Sequence, residues 1–189
     1  MRNAILLHGM PSEEEYASGE GRYPSRMHWL PWLKEELEKR GIAAETPELP
    51  KPYQPVYEDW KKVFESLPLS EETILVGHSC GAGFLVRWLS ENKQKVGRVA
   101  LVGPWLDPTH ELKNDFFEFT IDTGLIERTE GVTIFVSLDD GQEVLDSVTR
   151  IRENMPGVEV KKFQNRGHFT LEDMGTREFP ELKKAILKE

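Results

Sequence analysis

Thr73-Ile74-Leu75-Val76-Gly77-His78-Ser79-Cys80-Gly81 decides how this chain is read. Its first half is a short, unalternating run of β-branched and apolar residues, the pattern of a strand covered on both faces. Its second half is Gly-x-Ser-x-Gly. Directly afterwards Phe84, Leu85, Trp88 and Leu89 fall at helical spacing. Strand, glycine-flanked serine and helix together make the setting of a nucleophile elbow. The turn forces the serine into strained dihedrals, and side chains two residues either side would collide with neighbouring backbone. In return, the hydroxyl stands exposed at a helix N-terminus, whose amides and dipole favour negative charge. The bland alternative is a glycine-rich strand–helix turn with an ordinary capping serine.

The same rhythm continues outward. Besides Thr73–Val76, the strand candidates are Ala4–Leu7, Ile42–Glu45, Arg98–Val102, Val132–Val136 and Val158–Phe163. Between them lie apolar stripes: Leu30, Leu33 and Leu37, with Gly41 as C-terminal cap; Val56, Trp60, Val63, Phe64 and Leu67; Val144, Leu145, Val148, Ile151 and Met155; and Phe179, Leu182 and Ile186, with Pro180 in the first turn. Repeated strand–helix alternation means α/β: a three-layer sandwich of about six mostly parallel strands with helices on both faces. The expected sheet order is 2-1-3-4-5-6, which puts Ser79 near the middle, at the C-terminal edge where such sheets bind ligands. No repeat or linker divides the chain, so residues 1–189 read as a single domain. Two stretches break the rhythm. Pro11–Ser25 is polar, and Asp107–Glu130 sets Phe116, Phe117 and Phe119 among acids. The second is either a functional excursion or a surface helix with buried phenylalanines.

Composition narrows the partners. Across 189 residues, 33 acids against 24 Lys and Arg give a net charge of −9, which argues against nucleic acid and, at low salt, disfavours strongly anionic substrates. The lone Cys80 excludes an internal disulfide and suits a reducing cytosol. No apolar run approaches the ~20 residues of a membrane span, and Ala4–Leu7 is too short for a signal-peptide core. A cytoplasmic monomer or small homo-oligomer is expected, with no membrane association. No phosphate-loop lysine motif, dinucleotide glycine pattern or zinc-like His/Cys spacing is seen, so no metal and no cofactor is expected.

A serine at neutral pH needs a base. Of five histidines, His168 in Arg166-Gly167-His168-Phe169 follows the last strand, where a loop reaches the sheet's C-terminal edge. His8 ends the first strand. His78 is the variable elbow position and should point to the other side of the turn. His28 and His110 lie in irregular polar segments. The base needs an orienting carboxylate. Asp139-Asp140-Gly141 follows the fifth strand, and Asp107 after the fourth competes with it, though acids after strands also serve as caps. An oxyanion would take the backbone amides of Cys80 and Met10. The Cys80 side chain should turn into helix packing. Trp105 and Phe116 are candidate acyl-pocket residues, with a core role as the plain alternative.

The elbow Gly-His-Ser-Cys-Gly, the turn Asp-Asp-Gly, Gly-His-Phe and Trp29-x-x-Trp32-Leu33 resemble the small, capless α/β-hydrolases of the retinoblastoma-binding serine hydrolase family. The resemblance spans nearly the whole chain, with its specific motifs in those four patches. It implies a serine hydrolase with a minimal sheet, acting on a small-molecule acyl substrate through Ser79, Asp140 and His168. It also brings in a rival role, docking of a protein partner. Two departures stand out. The family's acid turn commonly continues Asp-Asp-Pro where Gly141 stands here, which keeps Asp139 in contention. The first loop reads His-Gly-Met, as in general esterases and lipases.

Overall fold

The computed structural model describes residues 2–19 and 21–188. Its centre is a six-stranded sheet in the order β2-β1-β3-β4-β5-β6, every neighbouring pair parallel. The strands are β1 (Asn3–Leu7), β2 (Ala43–Glu45), β3 (Ile74–His78), β4 (Val99–Val102), β5 (Val132–Ser137) and β6 (Glu159–Phe163). The helices are α1 (Glu13–Ser18), α2 (Leu30–Glu38), α3 (Tyr57–Glu65), α4 (Cys80–Asn92), α5 (Gln142–Asn154), α6 (Leu171–Met174) and α7 (Pro180–Leu187).

The unalternating strands are explained by what covers them. In β1, Ile5 and Leu7 face one core with Trp60, Phe84, Leu85, Val144 and Ile151, under α3, α4 and α5. Ala4 and Leu6 face a second core with Trp29, Leu33, Phe179 and Leu182, under α2 and α7. Each strand residue therefore meets apolar atoms whichever way it points, so selection for alternation is absent. The edges differ. β2 pairs over three residues only, and β6 carries Glu159, Lys161 and Lys162, charges that discourage further strand pairing.

Helix ends follow their sequence signals. α2 closes with Gly41 at φ +73, Gly41 N–H donating to Glu38 O and Ile42 N–H to Leu37 O, the paired bonds of a Schellman motif. Ser12 caps α1 through a reciprocal bond pair with Glu15. Pro180 opens α7. Val56 departs from the expected stripe: it precedes α3 as its cap and is 40% exposed, because the chain is still extended there.

The stretch from Asp107 to Glu130 is neither a helix nor part of the serine's surroundings. It is irregular apart from a 3-10 turn at Ile126–Arg128, and it packs Phe116 and Phe117 into the α3–α4–α5 core. Its loop is organised by Asp107, whose carboxylate accepts from Glu111 N–H at 2.7 Å and Leu112 N–H at 2.9 Å. Among the described residues, no helix is long and apolar enough to cross a membrane.

Candidate active site

Ser79 sits between β3 and α4 at φ 52, ψ −120, a conformation that costs a non-glycine residue about 1–3 kcal/mol. Three backbone bonds hold it there. Its N–H donates to Val102 O at 2.9 Å, and its carbonyl accepts from Gly83 N–H at 3.1 Å and Trp105 N–H at 3.2 Å. The flanking glycines are steric necessities. A Cβ on Gly77 would lie 2.5 Å from Ala82 Cα, and one on Gly81 would lie 2.3 Å from the His8 carbonyl oxygen.

The sheet's carboxyl ends deliver the remaining groups. After β1, the chain runs beside the serine: a Cβ on Gly9 would stand 3.0 Å from Ser79 Cβ. Met10, the next residue, lines the cleft. Cys80 is the first residue of α4, so its N–H has no partner within the helix. Its side chain is fully buried, as expected, and burial pushes the thiol pKa well up.

After β5, Asp140 is directed at His168. Its two carboxylate oxygens lie 3.0 and 2.9 Å from His168 Nδ1, and its side chain is only 4% exposed. A buried carboxylate there accepts the Nδ1 proton and leaves the Nε2 lone pair free. Asp139 points elsewhere. It accepts from the Ser137 hydroxyl and, at 3.4 Å, from Gly167 N–H. The Ser137 bond is the main cause holding its carboxyl below the usual range. Asp139 thus ties the β5 turn to the residue preceding His168. Asp107 is committed to its own loop, as described above.

The loop bearing His168 is held at several points. His168 N–H donates to Asp173 Oδ2 at 2.8 Å, while its carbonyl accepts from His78 Nε2 at 2.8 Å. Phe169, at φ 58, is fully buried against Phe163 and Phe179. Burying such a ring stabilises the loop by about 2–3 kcal/mol.

The role of His78 lies beyond what its motif position announces. Burial, with the nearby His168 and His28 imidazoles, pushes its pKa well down, so the ring is neutral. A carbonyl partner requires the proton on Nε2. His28 packs edge-on against His78 with ring centroids 5.4 Å apart. Its Nδ1 accepts from Leu171 N–H at 3.1 Å, so its neutral ring carries the proton on Nε2. Burial lowers its pKa as well.

Ser79, His168, His28 and Met10 line one cleft of about 600 Å³, walled further by Pro11, Pro24, Met27 and Thr170. Trp105 and Phe116 lie apart from it. The Trp105 amide serves the elbow and its indole N–H donates to Glu143 at 2.9 Å. Phe116 is fully buried, 5.1 Å from the Trp60 ring. Both pack as core aromatics, and neither lines this cleft. His110 borders a separate hollow with Asp107, Phe117 and Arg150. Among the described residues, no group of three or more His, Cys, Asp or Glu side chains is arranged to hold a metal.

The profile of the family described as serine hydrolase matches residues 21–188. The chain belongs to the serine hydrolase family. It is 31% identical over 166 residues to YdeN of Bacillus subtilis (strain 168), covering 84% of this chain and 86% of that one. The solved structure of the B. subtilis ydeN gene product superposes with a TM-score of 0.79 at 26% identity, covering 100% of this chain and 98% of that one. Est1E of Butyrivibrio proteoclasticus, solved with ferulic acid bound, gives a TM-score of 0.68 at 10% identity, covering 100% and 87%, which is a likeness of fold. The fold is that of the α/β-hydrolases, and the chain is a hydrolase by family.

Proposed function

We propose that this member of the serine hydrolase family cleaves esters of small or medium acyl groups through an acyl-enzyme, with thioesters and activated amides as related substrates. One observation carries the reading. A strained, glycine-flanked Ser79 opens into the same cleft as a histidine whose Nδ1 is held by a buried carboxylate. In the proposed mechanism, His168 Nε2 takes the Ser79 Oγ proton as Oγ attacks the acyl carbonyl carbon. Asp140 keeps the ring in the productive tautomer and stabilises the imidazolium. The carbonyl oxygen gains negative charge and accepts from the Met10 and Cys80 amides. When the intermediate collapses, the C–O bond to the leaving group breaks, and His168 gives that oxygen the proton. Water then repeats the sequence on the acyl-enzyme, releasing the acid and restoring Ser79.

Within the family, the four motif patches favour the retinoblastoma-binding branch, and residues 1–189 are read as one domain. The deciding experiment is labelling with a fluorophosphonate followed by peptide mapping. The label should sit on Ser79, and Ser79→Ala should abolish both labelling and hydrolysis of p-nitrophenyl butyrate. A label on Ser12 or Ser137, or none on the native protein, would overturn the reading and leave a hydrolase-fold binding module in its place.

A further inference from the structure

The cleft does not end at His28. Met27, His28 and Glu172 also wall a second hollow of about 280 Å³, whose far side carries Tyr23, Arg26 and Arg177. It brings two guanidinium groups together beside the carboxylate of Glu172. Arg26 lies over the Tyr23 ring at 4.9 Å, and Arg22 stands 5.8 Å from that ring. Neither Arg26 nor Arg177 forms an ion pair among the described residues, although most other arginines of the fold do.

The hollow is built rather than incidental. Pro24 and Ser25 are buried, and the Ser25 hydroxyl donates to Glu48, so the 3-10 turn Pro24–Arg26 is anchored. Arg177 Nη1 donates to the Arg26 carbonyl at 3.1 Å, which holds the second guanidinium beside the first while leaving its other N–H groups available. His28 stands at the junction. Its Nδ1 is taken by Leu171 N–H, and its Nε2–H has no protein partner among the described residues.

We propose that this hollow is an anion subsite for the leaving group: the substrate is an ester whose alcohol or phenol part carries a carboxylate, received by Arg26 and Arg177. The inference rests on the Ser79–His168 reading given above. That reading assigns the side. His168 delivers its proton to the leaving-group oxygen, so the leaving group lies along the flank of His168, and the chain from Thr170 to Glu172 leads from that flank to the hollow. A guanidinium presents paired N–H donors matched to a carboxylate. The acidic net charge does not decide the matter, because charges beyond about 8 Å are largely screened at physiological salt. Glu172, exposed at the junction and 4.0 Å from His28 Nδ1, and Glu15, which lines the adjoining cleft, are local opposing charges.

The test compares 4-acetoxybenzoate with its neutral counterpart 4-acetoxybenzamide, in the native protein and in Arg26→Gln, Arg177→Gln and the double variant. The readout is the ratio of kcat/KM for the carboxylate ester to that for the amide-bearing ester, so ring electronics cancel between variants. The double variant should lower this ratio about tenfold, the scale of losing a charge-assisted pair of hydrogen bonds, while kcat/KM for the neutral ester holds. Glu172→Gln should raise the ratio, and added salt should lower it in the native protein only. A ratio unchanged in the double variant and in Arg26→Gln alone would overturn the subsite and leave the esterase reading standing. Failure of the native protein to hydrolyse the neutral ester would overturn both.

Discussion

Acidification should unfold this protein through its histidines before its carboxylates matter, and His8 allows the magnitude to be worked out. The ring is 1% exposed, Nε2 accepts from Leu49 N–H at 3.0 Å, and Nδ1 donates to the Gly9 carbonyl at 2.7 Å. The Leu49 bond requires a neutral ring, whereas the Gly9 bond would survive in the cation; together they fix the Nδ1–H tautomer. Glu48 lies 4.0 Å from Nε2 and would favour the cation, but the Leu49 N–H already occupies that lone pair. Burial brings the pKa from 6.5 to about 4. A base whose folded pKa is depressed binds fewer protons folded than unfolded in this window. Its contribution to stability is therefore full above about pH 6.5 and is lost as the pH falls toward 4. The whole loss is roughly 3 kcal/mol, of which about 2 is gone by pH 5. His78 and His28 are shifted the same way and add to it. The lowered carboxyls of Glu36 and Asp122, near 2, act only at lower pH.

Urea unfolding of the native protein and His8→Phe at about pH 7.5, 6.5, 5.5 and 5 isolates the His8 contribution. At neutral pH the variant should be less stable by about 1–3 kcal/mol, the cost of an unpaired buried N–H. That gap should shrink by about 2 kcal/mol at pH 5, because the variant no longer has this site to protonate. A gap that stays constant or widens on acidification would refute the neutral, buried His8.

Asp140→Asn should lower kcat by about 10⁴, the cost of the same change in a serine protease, while Asp139→Asn and Asp107→Asn stay far closer to native turnover. A collapse confined to either of those two would reassign the acid. His78→Phe should lower kcat by about tenfold with KM nearly unchanged, since it removes only the bond to the His168 carbonyl; an equal loss in kcat and stability-corrected binding would point to general disruption instead. Gly81→Ala should abolish fluorophosphonate labelling or folding, because its Cβ would meet backbone 2.3 Å away. Rates on a p-nitrophenyl ester series should peak at short or medium acyl chains, given a cleft of about 600 Å³; a long-chain optimum with interfacial activation would contradict this.

Strand positions were legible because burial on both faces leaves a compositional mark, and the elbow because sterics admit only glycine at Gly77 and Gly81. Aromatics carry less information. Trp105 and Phe116 announce burial without saying against what, and the chain uses both for packing. The work of His78 and His28 was illegible for a different reason. Their bonds join residues 90 and 143 positions apart, and nothing local encodes a contact between one loop and another that distant. Asp139 and Asp140 were both visible as acids after a strand. Which of the two meets the base depends on a turn whose dihedrals composition does not fix.

Phe169 turns α7 into a fastener for His168. The ring next to His168 stacks on Phe179 with centroids 5.3 Å apart, and Phe179 is the residue from which α7 departs. α7 is itself held by Leu182 and Ile186 in the second core and by Arg98 donating to the Ile186 carbonyl at 2.9 Å. A helix of only eight residues is marginal on its own and depends on those contacts. When it loosens, the histidine loses its anchor while the sheet is still intact. Catalysis in this protein should therefore fade at a lower temperature than the sheet's circular dichroism, with α7 acting as its thermal fuse.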